Sequence, residues 1–236
     1  MFVQFSVRSR SLVRLLLVGL LCVLTSACAT SGDPYEPLNR KIMQVNDVAD
    51  RALLKPAATG YQKVVPQFAQ SGVRNFFSNL GDVWVSVNQL LQGKPGLFVS
   101  DLGRFSINST LGIGGLFDVA TDMGLAKHDE DFGQTLGVWG INSGPYIVVP
   151  FWGPSTFRDG IGDAVGTYAF APAYLDDTSA RNLSLALWLI QTRASYLDAE
   201  RLVQGDRYLF IRDAFLQRRE YLINDGELDD PFLTDI

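Results

Sequence analysis

The chain has 236 residues, 47% of them hydrophobic and 19% charged, with 20 Lys and Arg against 25 Asp and Glu and a net charge of −5. This is the composition of a folded chain, long enough for one domain with a sizeable core, and not that of a disordered one. The acidic balance argues against nucleic acid as a partner and against adhesion to anionic lipid through a basic surface.

Residues 1–27 read as a leader. Arg8, Arg10 and Arg14 precede an apolar block from Leu15 to Leu24, and small residues follow up to Cys28. The block is too short and wrongly flanked for a membrane span. The two cysteines are Cys22 and Cys28; Cys22 lies in the apolar block and leaves with it, so Cys28 remains alone. Its context, Leu-Thr-Ser-Ala-Cys, resembles the lipobox of bacterial lipoproteins, in which the cysteine becomes the acylated first residue. Thr25 stands where an aliphatic residue is commoner, with Leu24 one place upstream. The competing reading is an ordinary cleavage nearby that leaves Cys28 as a stray thiol, an oxidation liability in an oxidising compartment. In such lipoproteins an aspartate after the cysteine favours inner-membrane retention, so Ala29 implies the outer membrane. Loss of residues 1–27 lowers Lys and Arg to 17 against 25 acids, a side-chain balance of −8. Attachment then falls to acyl chains and apolar surface. Residues 28–32 are a linker, 33–226 the folded domain and 227–236 an acidic tail.

The first predicted helix opens at "DPYEPLNRK", with Asp33 as cap, Pro34 in the first helical position and Glu36 placed to reach back. Leu38, Ile42, Val45, Ala49 and Leu53 recur at spacings of three and four, one apolar stripe. A second helix runs from about Pro66 to Leu91 with an aromatic load at Phe68, Phe76, Phe77 and Trp84, and Gly93 to Gly96 ends it. A third spans about Leu97 to Leu111. Phe132 to about Pro172 is rich in Gly, Pro and aromatics, and reads as irregular with one strand-like run, Tyr146 to Val149. Leu183, Leu187, Ile190, Ala194 and Leu197 mark another helix. Asp206 caps a last one that Asp225 and Gly226 stop. The fold class is mainly α, a single domain with an irregular Gly- and Pro-rich central segment. No run after Ser31 approaches the length of a membrane span, so membrane contact beyond the anchor requires amphipathic helices.

Catalytic chemistry finds little support. No free thiol remains once Cys28 is acylated. His128 is the only histidine and sits in the charge-dense "AKHDEDFG", where a solvated side chain is expected. Asp129, Glu130 and Asp131 are consecutive and lack the alternate spacing of a calcium loop, so no metal site is assigned. No G-x-S-x-G elbow occurs. The glycines of "LGIGGLFD" match neither phosphate-loop spacing, and no Lys-Ser or Lys-Thr follows them. The expectation is a non-enzyme without cofactor.

The ordered motifs "DPYEPLNR", "VRNFFSNL", "NQLLQGKP", "RFSINSTLGIGGLFDVA", "GPYIVVPFWGPSTFRDGIGD", "RASYLD" and "RDAFLQRREYL" closely resemble the MlaA/VacJ family of outer-membrane lipoproteins. The match covers nearly all of the chain after the leader. It departs at Val149, where leucine is usual, at Arg207, where proline often stands, and at Phe215, where tyrosine often stands. The resemblance implies a ring of helices in the inner half of the outer membrane, with an amphipathic central channel. It implies a trimeric porin as partner and a periplasmic lipid-binding carrier that receives phospholipids extracted from the outer leaflet.

A lipid in transit needs a polar lining for its head group and apolar surface for its tails. Arg104 and Asn108 lie one helical turn apart and precede the corner of Gly112, Gly114 and Gly115, while Arg158 and Asp159 follow a Pro/Gly corner. These are the candidate path residues. Two readings stay open for each: contact with lipid, or local pairing and close packing. Two rival functions also stay open, a lipid-modifying enzyme and a scaffolding lipoprotein associated with porins.

Overall fold

The computed structural model describes residues 33–227; the leader, Cys28, the linker and all but the first residue of the acidic tail lie outside the described residues. Helix α1 (Glu36–Ala49) passes through a π-helical turn (Asp50–Leu54) into α2 (Lys55–Val64), and the junction residues stay in the right-handed helical region. The start of α1 differs from the expected capping box. Asp33 spends its oxygens on the Tyr35 amide, at 2.9 Å, and on the Tyr208 hydroxyl. Tyr35 therefore stands at the helix edge, Pro37 rather than Pro34 occupies the first turn, and Glu36 pairs with Arg40 at 2.8 Å.

Helix α3 (Gln67–Leu91) and helix α4 (Pro95–Thr110) form a hairpin across Gly93, whose φ of 78° only glycine adopts without strain. After the short α5 (Val119–Asp122), the central stretch is more ordered than its composition suggests. It contains α6 (Phe132–Val138), an antiparallel hairpin of β1 (Tyr146–Val149) and β2 (Gly153–Thr156), and α7 (Phe157–Thr167). Side-chain caps start both helices, Asp131 accepting the Gln134 amide and Thr156 the Asp159 amide. Glycines that signal turns in a sequence here permit helix contact: a Cβ on Gly162 would fall 2.3 Å from the Gly133 nitrogen. A 3₁₀ turn (Ala171–Tyr174), α8 (Thr178–Ser195), a second 3₁₀ turn (Ala199–Leu202) and α9 (Arg207–Ile223) complete the chain. Asp206 caps α9 as expected, accepting the Tyr208 and Leu209 amides.

The packing contacts trace a closed circuit. Helix α1 meets β1, β2 meets α9, α9 meets α6, α6 meets α3, α3 meets α8, and α8 returns to α2. Polar side chains lock its joints. A two-stranded hairpin is marginal alone, and its free edge needs partners. Asn39 and Asn46, two turns apart on α1, supply them. Asn39 donates to the Tyr146 carbonyl at 3.1 Å and accepts the Val148 amide at 2.9 Å; Asn46 donates to the Val149 carbonyl at 3.0 Å and accepts the Phe151 amide at 2.8 Å. At the α2–α8 joint, Arg193 holds Asp50 at 2.6 and 2.9 Å and also bonds Glu200, which Lys55 meets at 2.8 Å.

Burial runs opposite to that of a water-soluble bundle. Among the described residues, nine hydrophobic side chains are buried against seventeen polar or charged ones. Three members of the predicted apolar stripe face outward, Leu38 and Val45 each 56% exposed and Leu53 71% exposed, while Ile42 and Ala49 are half-buried and Asn39 on the same helix is 1% exposed. On α3, Asn79, Asp82, Ser86 and Gln89 are buried while Val83, Val87 and Leu90 are exposed; on α4, Asp101, Arg104 and Asn108 are buried while Val99 and Leu102 are exposed. A small apolar cluster of Tyr146, Val148 and Tyr208, packed with Ile42, Met43 and Phe215, fills the hairpin joint.

Asn39→Ala is expected to destabilise the fold by about 1–3 kcal/mol, because it strands a buried amide and a buried carbonyl of β1. Urea unfolding of the variant against the parent protein checks this, and an unchanged midpoint would show that the hairpin edge has other support.

Candidate functional site

Two charge networks are built around buried side chains. The first joins α3, α4 and the glycine corner. Arg104 is 1% exposed; its Nη2 donates to both oxygens of Asp118, at 3.0 and 3.1 Å, and its Nη1 to Thr121 Oγ1, at 3.0 Å, and to the Leu125 carbonyl. Its Nε has no hydrogen-bond partner and lies 3.7 Å from Asp82. Asn108 donates to Asp118 at 2.9 Å and accepts the Ala120 amide at 2.9 Å. Lys127 closes on Asp82, and His128 Nδ1 lies 2.7 Å from Asp101. Burial alone would raise the Asp118 pKa, but bonds from Thr121, Asn108 and Arg104 outweigh it and hold the carboxyl at about 2. Burial dominates at Asp82 and raises its pKa despite the nearby Lys127 and Arg104.

This network fixes the glycine corner. A Cβ on Gly112 would lie 2.2 Å from the Phe117 carbonyl oxygen and one on Gly115 2.7 Å from Asn79 Nδ2, so both positions exclude any side chain. Gly114 has open space around it, but its φ of 68° favours glycine. Ile113, between them, holds a φ of 53°, a strained conformation for a β-branched residue.

The second network joins β2, α6, α7 and α9. Arg158 Nε and Nη2 meet Asp159 at 3.0 and 2.9 Å; Arg219 bonds the same carboxylate at 2.9 Å and also grips Asp131. Asp159 accepts Thr156 Oγ1 at 2.8 Å. Burial opposes the charge of Asp131, yet the bonds from Arg219 and Gln134 hold its pKa below the usual carboxylate range.

No group of three or more His, Cys, Asp and Glu among the described residues is arranged to hold a metal ion. No described helix is long and apolar enough to cross a membrane. The model of the MlaA lipoprotein family matches residues 31–222. The chain belongs to the MlaA lipoprotein family. It is 35% identical to the intermembrane phospholipid transport system lipoprotein MlaA of Escherichia coli K12, across 92% of this chain and 91% of that one. It is 32% identical to the Haemophilus influenzae protein of the same name, across 86% and 84% of the two chains. A solved structure described as the structural basis for maintenance of bacterial outer membrane lipid asymmetry superposes with a TM-score of 0.71 at 35% identity, over 82% of this chain and 100% of that chain.

In this MlaA-family chain the predicted path residues fall into two places, Arg104 and Asn108 with the corner of Gly112, Gly114 and Gly115, and Arg158 with Asp159. The residues that complete the two networks, Asp82, Asp101, Asp118 and Lys127 in one and Asp131 and Arg219 in the other, were not singled out as path residues from the sequence. The available signal was a charge inside an otherwise apolar helix: Asp82 beside Val83 and Trp84, and Asp101 beside Leu102. His128 corrects an expectation. It is not a solvated loop side chain, because Asp101, with no exposed surface, draws it in, and the second Asp101 oxygen has no partner.

Asp118 ties the corner to solution pH. An unfolded Asp titrates near 3.9, whereas the folded carboxyl titrates at about 2. Its contribution is therefore complete above pH ~4 and lost as pH falls from ~4 to ~2. Acid-unfolding curves of Asp118→Asn should lack that component. His128→Ala should cost about 1–3 kcal/mol, since it leaves a buried carboxylate with neither oxygen bonded; His128→Asn, which retains a donor, should recover part of the loss in the same denaturation measurement.

Proposed function

We propose that this chain is an outer-membrane lipoprotein that takes phospholipids misplaced in the outer leaflet and passes them, without covalent chemistry, to a lipid-binding carrier in the periplasm. The supporting observation is the inverted burial. Thirty-four large hydrophobic side chains are exposed among the described residues while the buried set is mainly polar. An exterior of that kind is stable among acyl chains, where apolar surface has no water to avoid. A polar interior lowers the cost of carrying a charged head group past a hydrocarbon layer, which is several kcal/mol or more for an uncompensated charge.

In this reading the circuit of helices surrounds an amphipathic channel, acylated Cys28 anchors the chain in the periplasmic leaflet, and a trimeric porin seats the complex. The names of the MlaA relatives and of the matched structure support phospholipid as cargo and the outer membrane as location. Arg104, Asn108 and Asp118 then act by holding the corner of Gly112, Gly114 and Gly115 open at a fixed backbone geometry. Arg158 and Asp159 do the same for the hairpin base. The guanidinium and amide donors of Arg104 and Asn108 are mostly committed to protein acceptors, so these two shape the path more than they grip the lipid.

Transfer of labelled phospholipid from proteoliposomes bearing the chain to a soluble lipid-binding acceptor tests the proposal. Catalysed transfer is expected; porin binding with no transfer would instead support the scaffolding role. Cys28→Ala should leave the precursor unprocessed and shift the protein away from the outer-membrane fraction. Normal fractionation of that variant would remove the anchor from this account.

A further inference from the structure

We infer that the cleft between α9 and the hairpin base is a subsite for a zwitterionic head group carrying a phosphate and an ammonium. The inference rests on the phospholipid passage proposed above and adds to it a place where the head group pauses on the aqueous side. The cleft has a volume of about 280 Å³ and is walled by Arg158 and Arg219, Ser143 and Asn224, Glu220 and Ile223.

Its position follows from the exposed residues of α9. Arg207, Asp213, Gln217, Arg218 and Glu220 face outward there beside Phe210 and Tyr221, whereas α1 exposes Leu38, Val45 and Val48 beside Lys41 and Gln44. The predominantly charged outer surface of α9 suits water better than that of α1, which suits acyl chains better. The cleft is thus on the side from which a head group would leave.

Its chemistry is a surplus of donors beside a free acid. A guanidinium carries five N–H donors. Those of Arg158, which is 7% exposed, have Asp159 at 3.0 and 2.9 Å and the Ile141 carbonyl at 3.3 Å as partners, which leaves two hydrogens unused. Arg219 Nε is buried with no partner. Asp159 Oδ1 already serves Arg158 and Arg219, and its Oδ2 accepts Thr156. A phosphodiester oxygen matches these donors, with Asn224 and Ser143 beside them. Glu220, which lines the same cleft from α9, has no ion-pair partner among the described residues. It would repel a purely anionic ligand and attract an ammonium, and the two together select a zwitterion. Ile223 offers an apolar contact for the intervening methylenes.

The test titrates the detergent-purified full-length chain with glycerophosphoethanolamine, using glycerophosphoglycerol and ethanolamine as comparators. The zwitterion should bind saturably and about tenfold more tightly than the anionic head group, a difference the size of one modest charge contact. Glu220→Gln, an exposed change that leaves both networks intact, should abolish that preference without shifting the melting temperature. Asn224→Leu should weaken both phosphates. Absence of saturable zwitterion binding, or a preference unchanged by Glu220→Gln, overturns the subsite. Transfer of labelled phosphatidylethanolamine by the same preparations separates the two levels. Transfer at the parent rate by both variants, with no cleft binding, sinks only the subsite, while no transfer by the unsubstituted chain sinks the transport reading itself.

Discussion

A buried charge must find its partners inside the protein, and that requirement organises this molecule. Arg104, Asp82 and Asp101 are held where an ordinary bundle would place leucines, and each is bonded only because another element delivers a partner to it, Asp118 to Arg104, Lys127 to Asp82 and His128 to Asp101. The delivery dictates the loop paths. Residues 111–131 must fold back over α3 and α4 so that Asp118, Thr121, Leu125, Lys127 and His128 reach the buried Arg104, Asp82 and Asp101. The glycines at 112 and 115 follow, since only a chain without side chains there turns tightly enough to bring Asp118 back to Asn108. Sequence, turn and network form one dependency, and substitution at any level propagates to the others.

The same logic explains how a closed circuit holds together with few buried hydrophobic residues. Apolar burial is non-directional and defines no particular joint. Hydrogen bonds and ion pairs are directional, and in this chain they fall at the seams. Asn39 and Asn46 serve the hairpin, Arg193 with Asp50 the α2–α8 joint, and Arg219 with Asp131 and Asp159 the meeting of α6, α7 and α9. In the proposed membrane setting, an exterior among acyl chains would gain little from further apolar contact, and specificity of closure would pass to the polar groups.

Much of the fold was legible in the residues. The spacing of Phe76 to Leu91, the Gly93 stop, the Asp206 cap and the Asp225–Gly226 terminus each place a boundary within a residue or two of the observed one. Periodicity told which residues of α1 share a face but carried no sign: Leu38, Val45 and Leu53 lie on one stripe whether it points in or out. The medium decides that sign, and local sequence does not record the medium. The central segment misled for a different reason, because glycine serves both turns and helix contact, and only tertiary structure distinguishes Gly162 from a turn residue. Arg104 and Asn108 were visible as a polar strip, yet their chief partner, Asp118, comes from beyond the glycine corner. His128 looked solvated because its charge-rich neighbours dominate the local composition, while the group that captures it lies 27 residues away.

The π turn at Asp50–Leu54 divides the long first helix into two separately indexed halves. Such a turn carries one residue more than the α turn it replaces, which rotates everything after it by about 100°. The first half is phased to the hairpin through Asn39 and Asn46, and the second to α8 through Gln62, which donates to the Ala194 carbonyl at 3.0 Å, and to the 3₁₀ turn after α8 through Lys55 and Glu200. A regular helix of the same composition would satisfy one partner and turn its contacts away from the other. The residue count between Asn46 and Lys55 therefore acts as a gear ratio: the circuit closes because two misaligned surfaces are meshed by one extra tooth.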